Sequence, residues 1–330
     1  MGCFSKEKRD FANNKVYDNL VKSFADIIPR VLNFVYQIPE CETMSYKIIT
    51  DSCCDFTEEQ YKALDVACAP LAVVYNGESH DNFSEPAAVK AFYDEVRGGV
   101  MATTSAVNPD GWKVIMKPIL EEGKDILVMA FSSGLSTTYQ SAVIAADELK
   151  EKYPERKINV VDTLCAALGQ GLLVWYACQK RDAGMSLEEL TAWVEDNKLN
   201  MCHWVTVDDL SHLTRGGRIS ATTAIVGTML NIKPIIYVNE EGKLINTAKV
   251  RGRKAAIDFL AKKLGETGTD LENATITIGH GDCAEDAAAL EAILREKYGV
   301  KNVITGYVGP VIGAHTGPGV LVLFFMGTHR

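Results

Sequence analysis

Hydroxyl-bearing side chains cluster in the stretch "FSSGLSTTYQ" at residues 131–140, which places Ser132, Ser133 and Ser136 around one glycine. The preceding residues are apolar, as in a buried strand, and the following residues have the pattern of a helix. A strand-to-helix turn in a parallel sheet lies where such folds bind ligands. Three interpretations of this turn therefore remain open: a nucleophilic serine, a phosphate cradle, or a set of neutral donors for another anion.

Further polar residues lie where other predicted strands end. Thr104 and Ser105 come shortly before Asn108 and Pro109, a pair that is typical of a helix N-cap and first helical residue. Because Asn108 already caps that helix, we interpret Thr104, Ser105 and Ser136 as ligand contacts rather than caps. His315 is a further candidate, since the glycines of "GAHTGPG" leave room for a ligand to approach the backbone.

Motifs for several common reactions are absent or incomplete. The serine turn lacks the first glycine of the G-x-S-x-G elbow, and no G-x-x-x-x-G-K-[ST] phosphate loop occurs. The stretch "GHGDCA" at 279–284 has the loose G-x-G-x-x-A form, but the next predicted strand brings no acidic residue to bind a ribose. The nine cysteines form no CxxC pair or His/Cys ligand spacing. We therefore predict neither a metal site nor a cofactor.

Composition narrows the class of protein. The 330 residues carry a formal net charge of −9 with no long basic run, which argues against a nucleic-acid surface. The most apolar run, residues 320–326, is too short to span a bilayer, so no stable membrane insertion is expected. Reduced thiols and the lack of an apolar signal core predict a cytoplasmic protein.

Patterning divides the chain into three parts. Residues 1–45 have the spacing of one or two amphipathic helices, expected to pack on the body of the protein or on a second copy in a homo-oligomer. From residue 46, strands alternate with helices, which predicts a parallel sheet covered by helices. The rhythm changes near residue 200. We predict an α/β fold of two domains, 46–200 and 201–330, with a ligand cleft between them.

Several stretches together resemble the DegV family of bacterial fatty-acid-binding proteins. They run in the family's order from about Tyr46 to the end of the chain. The matching stretches are "KIITDSCCDF", "TTSAVNP", "FSSGLSTTYQSA", "VVDTLCAALGQG", "LSHLTRGGRIS", "IKPIIYVNEEGKL", "KVRGRKAA" and "HTGPGVLVLFFMG".

The resemblance implies two α/β domains that enclose one fatty acid. Its carboxylate would be held by Thr104, Ser105, Ser136 and His315, with Ser133 shaping the turn. The protein would be a carrier without catalytic activity that presents the carboxylate to a separate acyl kinase, which forms an acyl phosphate for phospholipid synthesis. The alternative from the same residues is a serine-dependent esterase or thioesterase, with Ser133 or Ser136 as nucleophile and His315 as base.

Two more sets of residues complete the sequence-based expectations. Family arginines match Arg218 and Arg251, which we predict to form a docking surface for the kinase outside the pocket. Four apolar residues are candidates for the wall of an acyl tunnel, with ordinary core packing as the alternative: Ile225, Val226, Met229 and Leu230.

Overall fold

The computed structural model describes residues 45–220 and 231–330. The helices expected in residues 1–45 and the four tunnel candidates, Ile225, Val226, Met229 and Leu230, lie outside the described residues. Tyr46–Arg330 form one structural unit, and the domain boundary near residue 200 stays a prediction. No helix of the described residues is long and apolar enough to cross a membrane.

Strands and helices alternate along the described chain. The strands are β1 (Tyr46–Asp51), β2 (Val66–Ala69), β3 (Ala72–Tyr75), β4 (Glu78–Asp81), β5 (Thr103–Ser105), β6 (Asp125–Ala130), β7 (Ile158–Asp162), β8 (Met201–Thr206), β9 (Ile232–Val238), β10 (Leu244–Arg251), β11 (Thr275–His280), β12 (Asn302–Tyr307) and β13 (Leu321–Met326). The helices are α1 (Glu58–Ala63), α2 (Pro86–Arg97), α3 (Pro109–Glu121), α4 (Thr138–Lys152), α5 (Ala167–Asp182), α6 (Leu187–Asn197), α7 (Ser211–Arg215), α8 (Arg253–Thr267), α9 (Ala284–Tyr298) and α10 (Pro310–Thr316).

The predicted parallel sheet has the strand order β2-β1-β6-β7. Helices cover both of its faces, which explains why β6 is an almost continuous apolar run. Leu127 and Met129 pack into one core with α5 and α6, whereas Ile126 and Val128 pack into another with α2, α3 and α4. The alternation follows from the period of two in a strand.

A second sheet contains only strands from Met201 onward, in the order β10-β9-β8-β13-β11-β12. All neighbours are antiparallel except β11 and β12, which are parallel. Helices α8 and α9 pack on one face, and α5 contacts β8, β11 and β13. Since α5 also packs on the parallel sheet, this helix is shared by both layers. The mixed α/β class is thus confirmed.

A small antiparallel sheet, β4-β3-β5, carries one of the predicted polar turns. Its strand β5 pairs Thr104 with Val73 and leads to Asn108, which caps α3 as predicted by accepting a hydrogen bond from the Gly111 N–H. The sheet therefore fixes Thr104 in the middle of a short, paired strand.

Candidate functional site

The serine turn follows β6 and is ordered by Ser132 rather than by its neighbours. Ser132 is fully buried, and its hydroxyl donates to the Gly242 carbonyl at 2.8 Å. Its own carbonyl accepts the N–H groups of Leu135 and Ser136, both at 3.1 Å. With its hydroxyl committed in this way, Ser132 holds the turn in shape, while Ser133 and Ser136 are only partly buried.

Gly134 allows the turn to lie directly on the loop between β9 and β10. A Cβ atom at this position would lie 2.6 Å from the carbonyl oxygen of Glu241 and 2.8 Å from that of Gly242. Such contacts are with backbone, which cannot move aside as a flexible side chain can. The glycine therefore brings the end of β6 against the second sheet.

Asp51, at the end of β1, stabilises the same turn through hydrogen bonds to its carboxyl group. Its carboxylate accepts the Cys53 N–H at 3.0 Å, the Phe131 N–H at 2.6 Å and the Gln170 side-chain amide at 3.2 Å. Burial raises the pKa of Asp51 to about 6, although the hydrogen bonds oppose the rise. The sequence analysis did not single out this carboxyl, whose role depends on partners 80 and 119 residues away.

Thr104 and His315 meet although 211 residues separate them: the Thr104 hydroxyl lies 2.7 Å from Nε2 of His315. Burial is the main reason that the pKa of His315 falls to about 4, and the nearby Arg218 and Arg215 lower it further. The imidazole is therefore neutral at neutral pH. A Cβ atom on Gly216 would collide with Nδ1 of this ring, so the glycine gives the imidazole its space.

Arg218 lies at the same cavity, and the expectation that it stays outside the pocket is wrong. Its Nε donates to the Leu135 carbonyl at 3.1 Å and its Nη1 to the Gly216 carbonyl at 2.6 Å. Gly217 adopts a left-handed conformation with φ of 71°, which directs the chain back toward the serine turn. The guanidinium thus adds a positive charge to a lining that we expected to be neutral.

The polar residues share one cavity of about 470 Å³ with a large apolar wall. Its polar lining includes Thr104, Ser133, Ser136, Arg218 and His315. Its apolar lining includes Phe131, Val205, Ile236, Val238, Val322 and Phe324.

Part of the apolar wall is one face of the second sheet. Val205 on β8 pairs with Ile236 on β9 and with Val322 on β13, which gives a row across three adjacent strands. The cavity can therefore hold a molecule with a long apolar part and a small anionic group.

Among the described residues that were predicted to hold the carboxylate, Ser105 does not line this cavity. Its side chain is exposed, whereas that of Thr104 is partly buried. Successive residues of a strand point to opposite faces, so β5 can aim only one of the two hydroxyls inward.

A family model described as "Uncharacterised protein, DegV family" matches residues 45–328. The chain belongs to the DegV family. Among curated relatives, a DegV domain-containing protein from Clostridium perfringens is 46% identical over 283 residues, which are 86% of this chain and 97% of that protein.

Solved structures of DegV proteins superpose on this chain. A DegV lipid-binding protein from Thermotoga maritima has a TM-score of 0.77 at 31% identity, over 87% of this chain and 100% of that one. A DegV family protein from Thermus thermophilus, described as fatty-acid binding, has a TM-score of 0.76 at 30% identity, over 85% of this chain and 99% of that one.

His203 also lines the cavity of this DegV protein, and the sequence analysis missed it. Burial lowers its pKa to about 3, so the ring is neutral. Its Nε2 accepts the Ala166 N–H at 3.1 Å, and its Nδ1 lies 2.8 Å from the Met201 carbonyl. A sequence feature that could have indicated His203 is its spacing of two residues from Val205 on β8, which places both side chains on the same face of the strand.

The catalytic alternative needs a hydrogen bond between a serine and a base. Among the described residues, Nε2 of His315 contacts Thr104, and the Ser136 hydroxyl contacts that of Thr138 at 2.9 Å. Neither Ser133 nor Ser136 is hydrogen-bonded to His315 in this part of the chain. The arrangement is better suited to holding an anion than to activating a nucleophile.

Arg251 is separate from these residues. It is the last residue of β10, its side chain is exposed, and it does not line the 470 Å³ cavity. The two arginines therefore differ: one belongs to the cavity and the other to the surface.

Proposed function

We propose that this DegV protein binds one long-chain fatty acid in the 470 Å³ cavity. The observation that carries the proposal is that one cavity joins Thr104, Ser136 and His315 to an extended apolar wall. Structures of family members from Thermotoga maritima and Thermus thermophilus, described as lipid-binding and fatty-acid-binding, support the same assignment.

In this proposal the polar side chains set the orientation of the ligand. The Thr104 and Ser136 hydroxyls donate to the carboxylate, and Arg218 supplies charge from the same wall. Each charge-assisted hydrogen bond contributes about 1.5 to 3 kcal/mol. His315 is neutral before the ligand arrives, and a carboxylate beside it would raise its pKa and favour a protonated, donating imidazole.

The acyl chain supplies most of the affinity. Burial of a methylene group gains about 0.8 kcal/mol, so a chain of about sixteen carbons gains on the order of 12 kcal/mol before the costs of association and ordering. A tail along Val205, Ile236 and Val322 would obtain this gain from the second sheet. Affinity then depends on chain length more than on any single polar contact.

The proposed role is that of a carrier. No serine–histidine pair is formed among the described residues, so activation of the carboxylate is assigned to a separate acyl kinase. The exposed Arg251 is proposed to attract that partner or its nucleotide phosphates, because guanidinium groups bind phosphates bidentately. The esterase alternative has no specific contact in its favour.

The purified protein is expected to carry close to one fatty acid per chain. Native mass spectrometry of the protein, followed by chain-length analysis of the extracted lipid, measures this directly. Protein that stays ligand-free after incubation with several long-chain acids would contradict the proposal. Turnover of an acyl ester that is lost in Ser136→Ala would support the esterase instead.

Replacement of Arg251 by alanine is expected to raise the apparent KM of the acyl kinase for the loaded protein by about fivefold, because long-range attraction and orientation are lost. Fatty-acid occupancy should be unchanged, since the side chain is exposed and away from the cavity. Steady-state kinetics at two salt concentrations and native mass spectrometry check both parts.

The control for Arg251→Ala is Arg218→Ala, which should lower occupancy because Arg218 lines the cavity. An unchanged KM in Arg251→Ala, or loss of its lipid, would show that the docking role is wrong.

A further inference from the structure

A second, larger cavity of about 980 Å³ shares no lining residue with the first. Residues from the stretches 52–61, 81–86 and 304–309 border it, together with Leu168 and His280. Nothing in the proposed binding of a fatty acid uses these residues. The second cavity therefore needs its own explanation.

Asp55 is the most unusual group in this lining. The residue is only 8% exposed, and neither oxygen of its carboxyl has a hydrogen-bond partner among the described residues. Burial is the main reason that the pKa of Asp55 lies well above its usual value, although the nearby Gly309 backbone and Asn82 side chain oppose the rise. A buried carboxyl without a partner destabilises the protein, and a ligand that donates hydrogen bonds would relieve that cost.

His280 provides a second unmet polar atom in the same cavity. The residue is 6% exposed, and its Nδ1 has no hydrogen-bond partner in the part of the chain that the structure describes. Burial lowers the pKa of His280, so the ring is neutral and one of its nitrogens is an acceptor. The ring centroid lies 4.5 Å from that of Tyr307, which fixes the orientation of the imidazole.

The charges of the lining determine which ligand it favours. Among the described residues, the lining contains no Lys or Arg and five carboxyl residues: Asp55, Glu58, Glu59, Asp81 and Glu85. An anion would be repelled by the ionised carboxylates of this lining, whereas a cation would be attracted to them. The aromatic rings of Phe56, Tyr61 and Phe83 can also contact a cation through their faces.

The 980 Å³ cavity adjoins a smaller cavity whose lining is mostly apolar. The smaller cavity, of about 200 Å³, shares four lining residues with it, Phe56, Gln60, Leu168 and Ile304, and is otherwise bordered largely by side chains such as Leu172 and Trp175. A ligand for the combined space should therefore have a cationic end and an aliphatic part.

We propose that the 980 Å³ cavity binds an aliphatic amine. The ammonium charge favours the ionised form of the Asp55 carboxyl, which releases its proton to solvent and forms an ion pair with the ammonium group. The same ammonium group donates a hydrogen bond to Nδ1 of His280. The methylene groups of the amine lie among Phe56, Leu168 and Ile304. The three donors of an ammonium group match the unmet acceptors of these two side chains.

Isothermal titration calorimetry with hexylamine tests the proposal, with hexan-1-ol as the uncharged probe of equal length. Hexylamine should bind, and hexan-1-ol should bind at least about tenfold more weakly, because only the ammonium group pairs with Asp55. Asp55→Asn should weaken hexylamine binding by at least about 30-fold, since the buried charge is removed. Fatty-acid occupancy of the other cavity should not change, so the two functions are tested separately.

Asp65→Asn is the matched control, because Asp65 is also left-handed, with φ of 48° against 55° for Asp55, yet it is exposed and lies outside the cavity. The affinity of Asp65→Asn for hexylamine should stay within about twofold of that of the unchanged protein. Equal binding of the amine and the alcohol, full binding by Asp55→Asn, or no amine binding at about 10 mM would each overturn the proposal. If Asp55→Asn does not fold, the comparison of the two probes still decides.

Discussion

Replacement of Val205 by tryptophan is expected to lower the affinity for hexadecanoate by about 200-fold while the protein still folds. Val205 is the central member of the apolar row with Ile236 and Val322, and it faces the 470 Å³ cavity. An indole in this space would displace about four methylene groups of the tail, at about 0.8 kcal/mol each. That loss of about 3 kcal/mol corresponds to about 200-fold in the dissociation constant.

Titration calorimetry with hexadecanoate and octanoate checks the position of the tail. The affinity for octanoate should fall by less than about threefold in Val205→Trp, because a short chain need not reach the indole. Val205→Ala is the control, since it widens the wall without blocking it and should leave hexadecanoate affinity within about threefold. Equal losses for both acids would place Val205 near the carboxylate, and no loss for either would remove this wall from the site.

Part of the fold could be predicted from the sequence, because it depends on interactions between residues that are close together in the chain. The cap at Asn108 depends on a backbone N–H three residues away, and the apolar run of β6 reflects burial on both faces of its own sheet. Thr104, Ser133, Ser136 and His315 were named from small-residue turns, and the structure brings all four to one cavity. The local elements were predicted less well, because Thr104 lies within the strand β5 and His315 lies in the helix α10 instead of the expected glycine-rich turn.

Residues whose role depends on distant partners were harder to predict. The expectation for Arg218 failed because the left-handed Gly217 returns the chain toward Leu135, 83 residues earlier. Ser105 was grouped with Thr104, although the alternation along β5 separates them. His203 was missed because only tertiary packing shows that β8 faces a cavity. Sequence spacing gives the period of an element but not which face meets the ligand.

Asp51→Asn is expected to destabilise the protein by about 3 kcal/mol at pH 4 and by less than about 1 kcal/mol at pH 7. The carboxyl accepts the Cys53 and Phe131 N–H groups on separate oxygens. An amide replaces one oxygen by a nitrogen that cannot accept, so a buried N–H loses its partner. The aspartate keeps both acceptor oxygens at every pH, but above its raised pKa it also carries a buried charge that the asparagine lacks, so the cost of the substitution is largest at acidic pH.

The pH dependence follows from the raised pKa of Asp51, about 6 in the folded protein against an ordinary value of 3.8. Between these values the folded protein holds a proton that the unfolded chain has released. The contribution of Asp51 to stability is therefore complete below about pH 4 and falls as the pH rises to about 6. A difference of about two pKa units corresponds to roughly 3 kcal/mol. Asparagine does not titrate, so the difference in the free energy of unfolding between the unchanged protein and Asp51→Asn becomes smaller as the pH rises over this range.

Urea unfolding at pH 4, 5, 6 and 7 measures the difference between the two proteins. Asp162→Asn is a suitable control at pH 4, because the N–H groups of Ser133 and Leu164 both bond to Oδ1, which an asparagine can reproduce at a cost below about 1 kcal/mol. A constant difference between the unchanged protein and Asp51→Asn across the four pH values would show that Asp51 does not titrate in this range. If the difference narrows as expected, the carboxyl that accepts the Phe131 N–H next to the serine turn stabilises the folded protein most in mild acid.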